Sequence, residues 1–167
     1  LTKTHKAFKE LIAAGLVPES AWSIFGAQST GCSPIATAFD NGWDAVQPVK
    51  PTGIAKSLGI GNPADGPYAL DVARRTGGAI ADVSDEEIVA GIRLLAQTEG
   101  IFAETAGGVT VATLRQLLAS GQLDPDAETV VYNTGDGLKT LDAVAAQVGP
   151  TATIPPSIDE FRAALGG

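Results

Sequence analysis

Val130-Val131-Tyr132-Asn133-Thr134-Gly135-Asp136-Gly137-Leu138-Lys139 reads as an apolar β-branched run that stops at a hydroxyl and turns on two glycines. Leu138 to Val148 then carries a helical period, with Leu141, Val144 and Val148 on one face. A strand that ends this way presents one hydroxyl and a helix N-terminus at the edge of a sheet. Thr129 to Asn133 is therefore predicted as a strand and residues 138–148 as the helix that follows it.

The same alternation extends upstream. Helices are predicted over 4–14 (Ala7, Phe8, Leu11 and Ile12 on one face), 31–39, with Pro34 in its first turn, and 68–75. Ser84-Asp85-Glu86-Glu87 has the form of a capping box. The helix after it buries Ile88, Ile92 and Leu95 and stops at Gly100. A further helix over 108–119 turns Val111, Leu114 and Leu118 inward. Strands are predicted at 22–27, 79–83 and 101–103. Strands alternating with helices of about ten residues or more argue for βαβ units, hence an α/β fold of three layers, α/β/α, with a mainly parallel sheet. Residues 48–67 are irregular, hold Pro48, Pro51, Pro63 and Pro67, and have room for a turn of helix at 54–58. Residues 150–167 read as a linker and a C-terminal helix capped by Ser157.

Composition narrows the function classes. The 167 residues are 44% apolar, enough for a core, and carry a formal net charge of −8. No cluster of Lys and Arg offers phosphate contacts, so nucleic acid is not an expected partner. No run approaches the ~20 apolar residues of a membrane span. Cys32 is the only cysteine, so an internal disulfide and a cysteine zinc site are both excluded. A soluble, cytoplasmic setting is expected. The chain has no methionine, even at position 1, and is expected to be part of a longer one.

Open parallel sheets bind ligands beyond the carboxyl ends of their strands. Three of the predicted strand-to-helix turns are small and glycine-rich: 26–31, Glu104-Thr105-Ala106-Gly107-Gly108, and Asn133-Thr134-Gly135-Asp136-Gly137. Such turns let a ligand approach the backbone. The fourth, at Ser84, is an acidic cap expected to face water. Gly59-Ile60-Gly61 lacks the third glycine of a dinucleotide loop. His5, the only histidine, is expected at a surface or helix end, and Cys32 is expected to be buried and inert.

Several of these stretches, in this order and spacing, resemble the threonine synthases: Gly26-Ala27-Gln28 through Ile35, Ile54 through Asn62-Pro63-Ala64, Ser84 through Ile88, Glu99 through Glu104, and Thr134 through Lys139. These are pyridoxal-phosphate enzymes of fold type II, in the tryptophan-synthase-β superfamily. The resemblance implies that residues 1–149 are the C-terminal, pyridoxal-phosphate-binding portion of such an enzyme. It implies Thr134 beside the pyridine nitrogen, with Gly135 next to it, and Glu104 near the cofactor edge. It also implies the helix N-terminus at Thr2 facing the cofactor phosphate. The complete enzyme would convert O-phosphohomoserine and water to threonine and phosphate.

Two departures accompany the resemblance. Family members usually carry Asn where this chain has Asp136. The Schiff-base lysine is absent: Ala7-Phe8-Lys9-Glu10 mimics its surroundings, but on a helix downstream of the lysine domain, so Lys9 reads as solvated. No catalytic residue is therefore assigned, and the chain alone is expected to be inactive. The expected partners are the N-terminal portion of the enzyme, a small-molecule substrate and, through exposed sheet edges, another copy of the chain. The alternatives are a sister enzyme (threonine dehydratase, cysteine or cysteate synthase) or a non-catalytic module that binds a small anion or a partner.

Overall fold

The computed structural model describes residues 1–150 and 152–166. Two strands, β1 (Gly26–Ser29) and β2 (Ile80–Val83), pair in parallel with Gly26 opposite Ile80 and Ser29 opposite Val83. Side chains alternate across a strand, so each face takes every second residue. On one face Ile80 joins Ala36 and Ala38 of α2 (Pro34–Asp40) and Leu70 and Ala73 of α3 (Gly66–Arg75). On the other, Ala27 and Val83 meet Ile88 and Ile92 of α4 (Asp85–Glu99) and Val109 and Ala112 of α5 (Thr105–Ala119). Helices thus cover both faces of a parallel sheet, as the alternating pattern predicts.

Local sequence explains several boundaries. The Ser84 hydroxyl accepts from the Glu87 N–H (3.3 Å), and the Glu87 carboxylate accepts from the Ser84 N–H (2.7 Å), which closes the capping box of α4. Gly100 ends that helix in the left-handed region, at φ 68°. Ser84→Ala should cost about 1 kcal/mol and lower Tm by about 3 °C in a thermal melt. An unchanged Tm would mean that α4 does not depend on this cap. α2 takes its cap from a distance. Its N-cap Ser33 makes no side-chain bond, and the Gln28 side-chain oxygen accepts from the N–H groups of Ile35 (2.9 Å) and Ala36 (2.8 Å). Helix α1 (Thr2–Ala13) has no buried residue and rests on Trp22, whose ring meets His5 edge-on at 5.9 Å and Phe8 at 5.4 Å.

Four expectations are corrected. Residues 22–27 are a strand only from Gly26: Trp22 packs against α1, and the Ile24 N–H goes to the Thr76 hydroxyl (3.0 Å) instead of a ladder partner. Thr129–Asn133 forms no strand. Its β-branched residues find no ladder, and Val130 and Tyr132 stand in solvent. Residues 101–103 give only one antiparallel bridge, Ala103 to Asp136. Residues 138–148 are not one helix. A 3-10 segment, Gly137–Ala143, leaves helical geometry at Thr140 and is followed by the short α6 (Ala145–Val148).

The inward faces also shift. α5 starts at Thr105 and buries Val109, Val111, Ala112 and Leu117, while Leu118 is exposed. Of Leu141, Val144 and Val148 only Val144 is buried. In the irregular region the turn of helix is a 3-10 turn at Lys56–Leu58. The C-terminal helix α7 spans Ile158–Ala164, with the Ser157 hydroxyl accepting from Glu160 N–H at 3.4 Å.

Candidate functional site

The first turn of α5 and the glycine turn at 133–137 meet. Glu104 N–H donates to the Gly135 carbonyl (3.1 Å), and Gly137 N–H to the Phe102 carbonyl (2.9 Å). The Phe102 ring lies so near Gly137 that a Cβ there would come within 2.6 Å of it. A Cβ on Gly135 would overlap the Glu104 carboxylate, and one on Gly107 would overlap the Asn133 side-chain oxygen. Glycine at these positions is what lets the two turns close on each other.

Glu104 is buried (7% exposed), with its carboxylate 3.9 Å from the Lys139 ammonium. Thr134 is exposed, and among the described residues nothing bonds its hydroxyl. A turn threonine normally spends that hydroxyl on nearby backbone. Here the turn role falls to Asp136, whose carboxylate accepts from the Leu138 N–H at 2.8 Å. The Asp136 charge is thereby directed at its own backbone.

Thr134, Gly135 and Glu104 are therefore neighbours, and Thr2 is not among them. Leu1 packs against Gly26 at the start of β1, and the Thr2 hydroxyl donates to the Asp65 carboxylate at 3.3 Å. The Gly31 carbonyl accepts from the Thr52 N–H at 2.8 Å. The Ser84 turn leaves Glu86 and Glu87 exposed to solvent. With Thr30, Gly31, Thr52 and Gly53 it lines a cleft of about 320 Å³. Asp85 reaches across to accept from the Ile54 N–H at 3.3 Å, tying down the irregular segment. The Glu86 carboxyl lies below its ordinary pKa, held there by backbone N–H and then by the Ser84 hydroxyl. Its stabilising contribution is present above the ordinary carboxyl pKa and is lost as pH falls through the lowered value.

Cys32 is buried, and desolvation pushes its thiol pKa up, the opposite of an activated nucleophile. His5 is partly buried against Trp22, and Lys9 is exposed. Among the described residues no cluster of His, Cys, Asp and Glu could hold a metal ion, and no helix is long and apolar enough to cross a membrane. Lys139 and Thr140 were not singled out from sequence as part of this cluster. Thr140 accepts from the Thr105 N–H at 3.1 Å through its hydroxyl. No local signal reports a bond between residues 35 apart.

The family model for "Pyridoxal-phosphate dependent enzyme" matches residues 2–135. A threonine synthase of Methanocaldococcus jannaschii is 42% identical over 139 residues, covering 83% of this chain and 34% of that protein. One of Methanosarcina acetivorans is 34% identical, covering 100% of this chain and 41% of that protein. The chain thus spans about a third to two-fifths of the length of these relatives. The crystal structure of threonine synthase from Escherichia coli superposes with a TM-score of 0.60 at 20% identity, over 90% of this chain and 34% of that one. This supports the α/β fold type II arrangement expected from the sequence. With four-fifths of its residues inside the family match, the chain belongs to the pyridoxal-phosphate dependent enzymes.

Proposed function

We propose that this chain supplies the pyridine-nitrogen wall of the cofactor site of a threonine synthase, the enzyme that converts O-phosphohomoserine and water to threonine and phosphate. The observation that carries the reading is the exposed Thr134 hydroxyl at a turn pinned to the buried Glu104 through the Gly135 carbonyl. The donor set fits a pyridine nitrogen. A neutral hydroxyl can hydrogen-bond that nitrogen without holding it protonated as a carboxylate would. Gly135 brings the backbone close, and Glu104 adds a carboxylate beside it, countered by Lys139. When bound, pyridoxal phosphate supplies an electron sink for the carbons next to the amine it holds.

Thr2 has no part in this proposal, because a phosphate there would meet the Asp65 carboxylate that already takes its hydroxyl. The phosphate loop and the Schiff-base lysine would come from the remainder of the enzyme, in a cytoplasmic, oligomeric assembly. This chain alone should release no phosphate from O-phosphohomoserine.

Pyridoxal phosphate titrated into the chain in a calorimeter tests the wall directly. Thr134→Val should weaken binding about tenfold, the equivalent of one hydrogen bond of ~1.4 kcal/mol. Equal affinity for the two proteins would remove Thr134 from the site.

A further inference from the structure

Helix α5 begins without a cap of its own. Its N-cap residue is Glu104, and the carboxylate makes no bond to the first turn. The Thr105 N–H is met instead by the Thr140 hydroxyl at 3.1 Å. The 3-10 segment Gly137–Ala143 departs from helical geometry at that residue alone (φ −134°, ψ 38°). The break is thus where the chain turns its hydroxyl toward α5. Next to it, Lys139 places its ammonium 3.9 Å from the Glu104 carboxylate.

We propose that Thr140 and Lys139 are positioning residues: Thr140 caps α5 in place of Glu104, and Lys139 holds the freed carboxylate beside Thr134 and Gly135. The inference rests on reading Thr134 and Glu104 as part of the cofactor wall. An acidic side chain at a helix N-terminus is drawn to the free N–H groups of the first turn by hydrogen bonding and by the helix dipole. If Glu104 answered that pull, its carboxylate would fold over α5 and leave the Gly135 backbone it now touches. A neutral hydroxyl from a remote segment removes one of those N–H groups from competition. The Thr105 hydroxyl, fully buried and unpartnered among the described residues, offers a second place where a displaced carboxylate could settle. Lys139 is 63% exposed, so its ion pair is weak and Thr140 bears the larger share. The device has a parallel in this fold, since Gln28 caps α2 in place of Ser33.

The test uses the 167-residue chain with Thr140→Val, which keeps the shape and removes the hydroxyl, and Thr140→Ser, which keeps the hydroxyl. Amide hydrogen exchange at Thr105 and calorimetric affinity for pyridoxal phosphate are both measured. Thr140→Val should speed exchange at Thr105 about tenfold, leave β1 and β2 unchanged and weaken pyridoxal-phosphate binding severalfold, with Thr140→Ser near wild type in both. Unchanged exchange in Thr140→Val, or equal effects of Val and Ser, overturns the capping role. Faster exchange with unaltered affinity overturns the positioning role if Thr134→Val still weakens binding. If Thr134→Val also leaves affinity unaltered, the cofactor reading itself fails. Should Thr140→Val not fold, Thr140→Ala, which also lacks the hydroxyl, carries the same two readouts with the same outcomes.

Discussion

Gly108→Ala should destabilise the chain by about 2–3 kcal/mol in a denaturant titration. α4 and α5 cross with backbone against backbone. A Cβ on Gly108 would lie 2.6 Å from the Ile88 carbonyl oxygen and 2.7 Å from Ile92 Cγ1. From the other helix, a Cβ on Gly91 would lie 2.6 Å from the Gly108 carbonyl oxygen and 3.2 Å from the Ala112 nitrogen. Carbonyls inside a helix cannot swing aside as a side-chain tip can. One added methyl must therefore part the helices. Ile88 and Val109, both fully buried, lie in the core that would open. Alanine's better helix propensity returns about 1 kcal/mol, which keeps the net effect from being larger. Gly100→Ala is the useful contrast. Nothing lies within 4 Å of its Cβ position, so only the left-handed φ of 68° should count, at about 1 kcal/mol. Equal losses at the two glycines would mean that α4 and α5 are not this close.

The elements that sequence made legible are those whose causes are local. α4 is fixed at one end by Ser84 and Glu87 and at the other by Gly100, all within its own stretch of chain. Of the two paired strands, β2 sits where its apolar run predicts it, and β1 overlaps the prediction only at Gly26 and Ala27. Thr129–Asn133 has the same local credentials as those strands, yet a strand also needs a partner, and none of the described residues pairs with it. Sequence singles out both glycine-rich turns, but the strands predicted before them are absent, and the turns meet through the Ala103–Asp136 bridge and the Glu104–Gly135 hydrogen bond. Thr2 rests on the resemblance alone, and its partner in the structure, Asp65, is 63 residues away and carries no local signal. Thr140 could not be found by periodicity, since its role depends on leaving the helix that periodicity predicts.

That departure sets up a second, comparably large effect. Val144→Ala should cost about 2 kcal/mol, whereas Leu141→Ala and Val148→Ala should each stay within about 0.5 kcal/mol. A continuous amphipathic helix over 138–148 would bury all three residues and give three similar losses. In the structure Val144 is 1% exposed and packs in the core with Val83, Ile88 and Val109. Leu141 and Val148 are 47% and 49% exposed. Leu141 lies in the 3-10 segment, Val144 at its non-helical end (φ −122°) and Val148 in α6, so the three residues do not share one helical face. The three unfolding free energies thus report whether the break exists. Val144 also anchors the segment that delivers Thr140 to α5. Loosening it should speed amide exchange at Thr105 beyond what the global loss of stability explains. Exchange at Thr105 that tracks global unfolding would show that the hydroxyl is held by the turn at Gly135 and Gly137, with Val144 contributing only to the core.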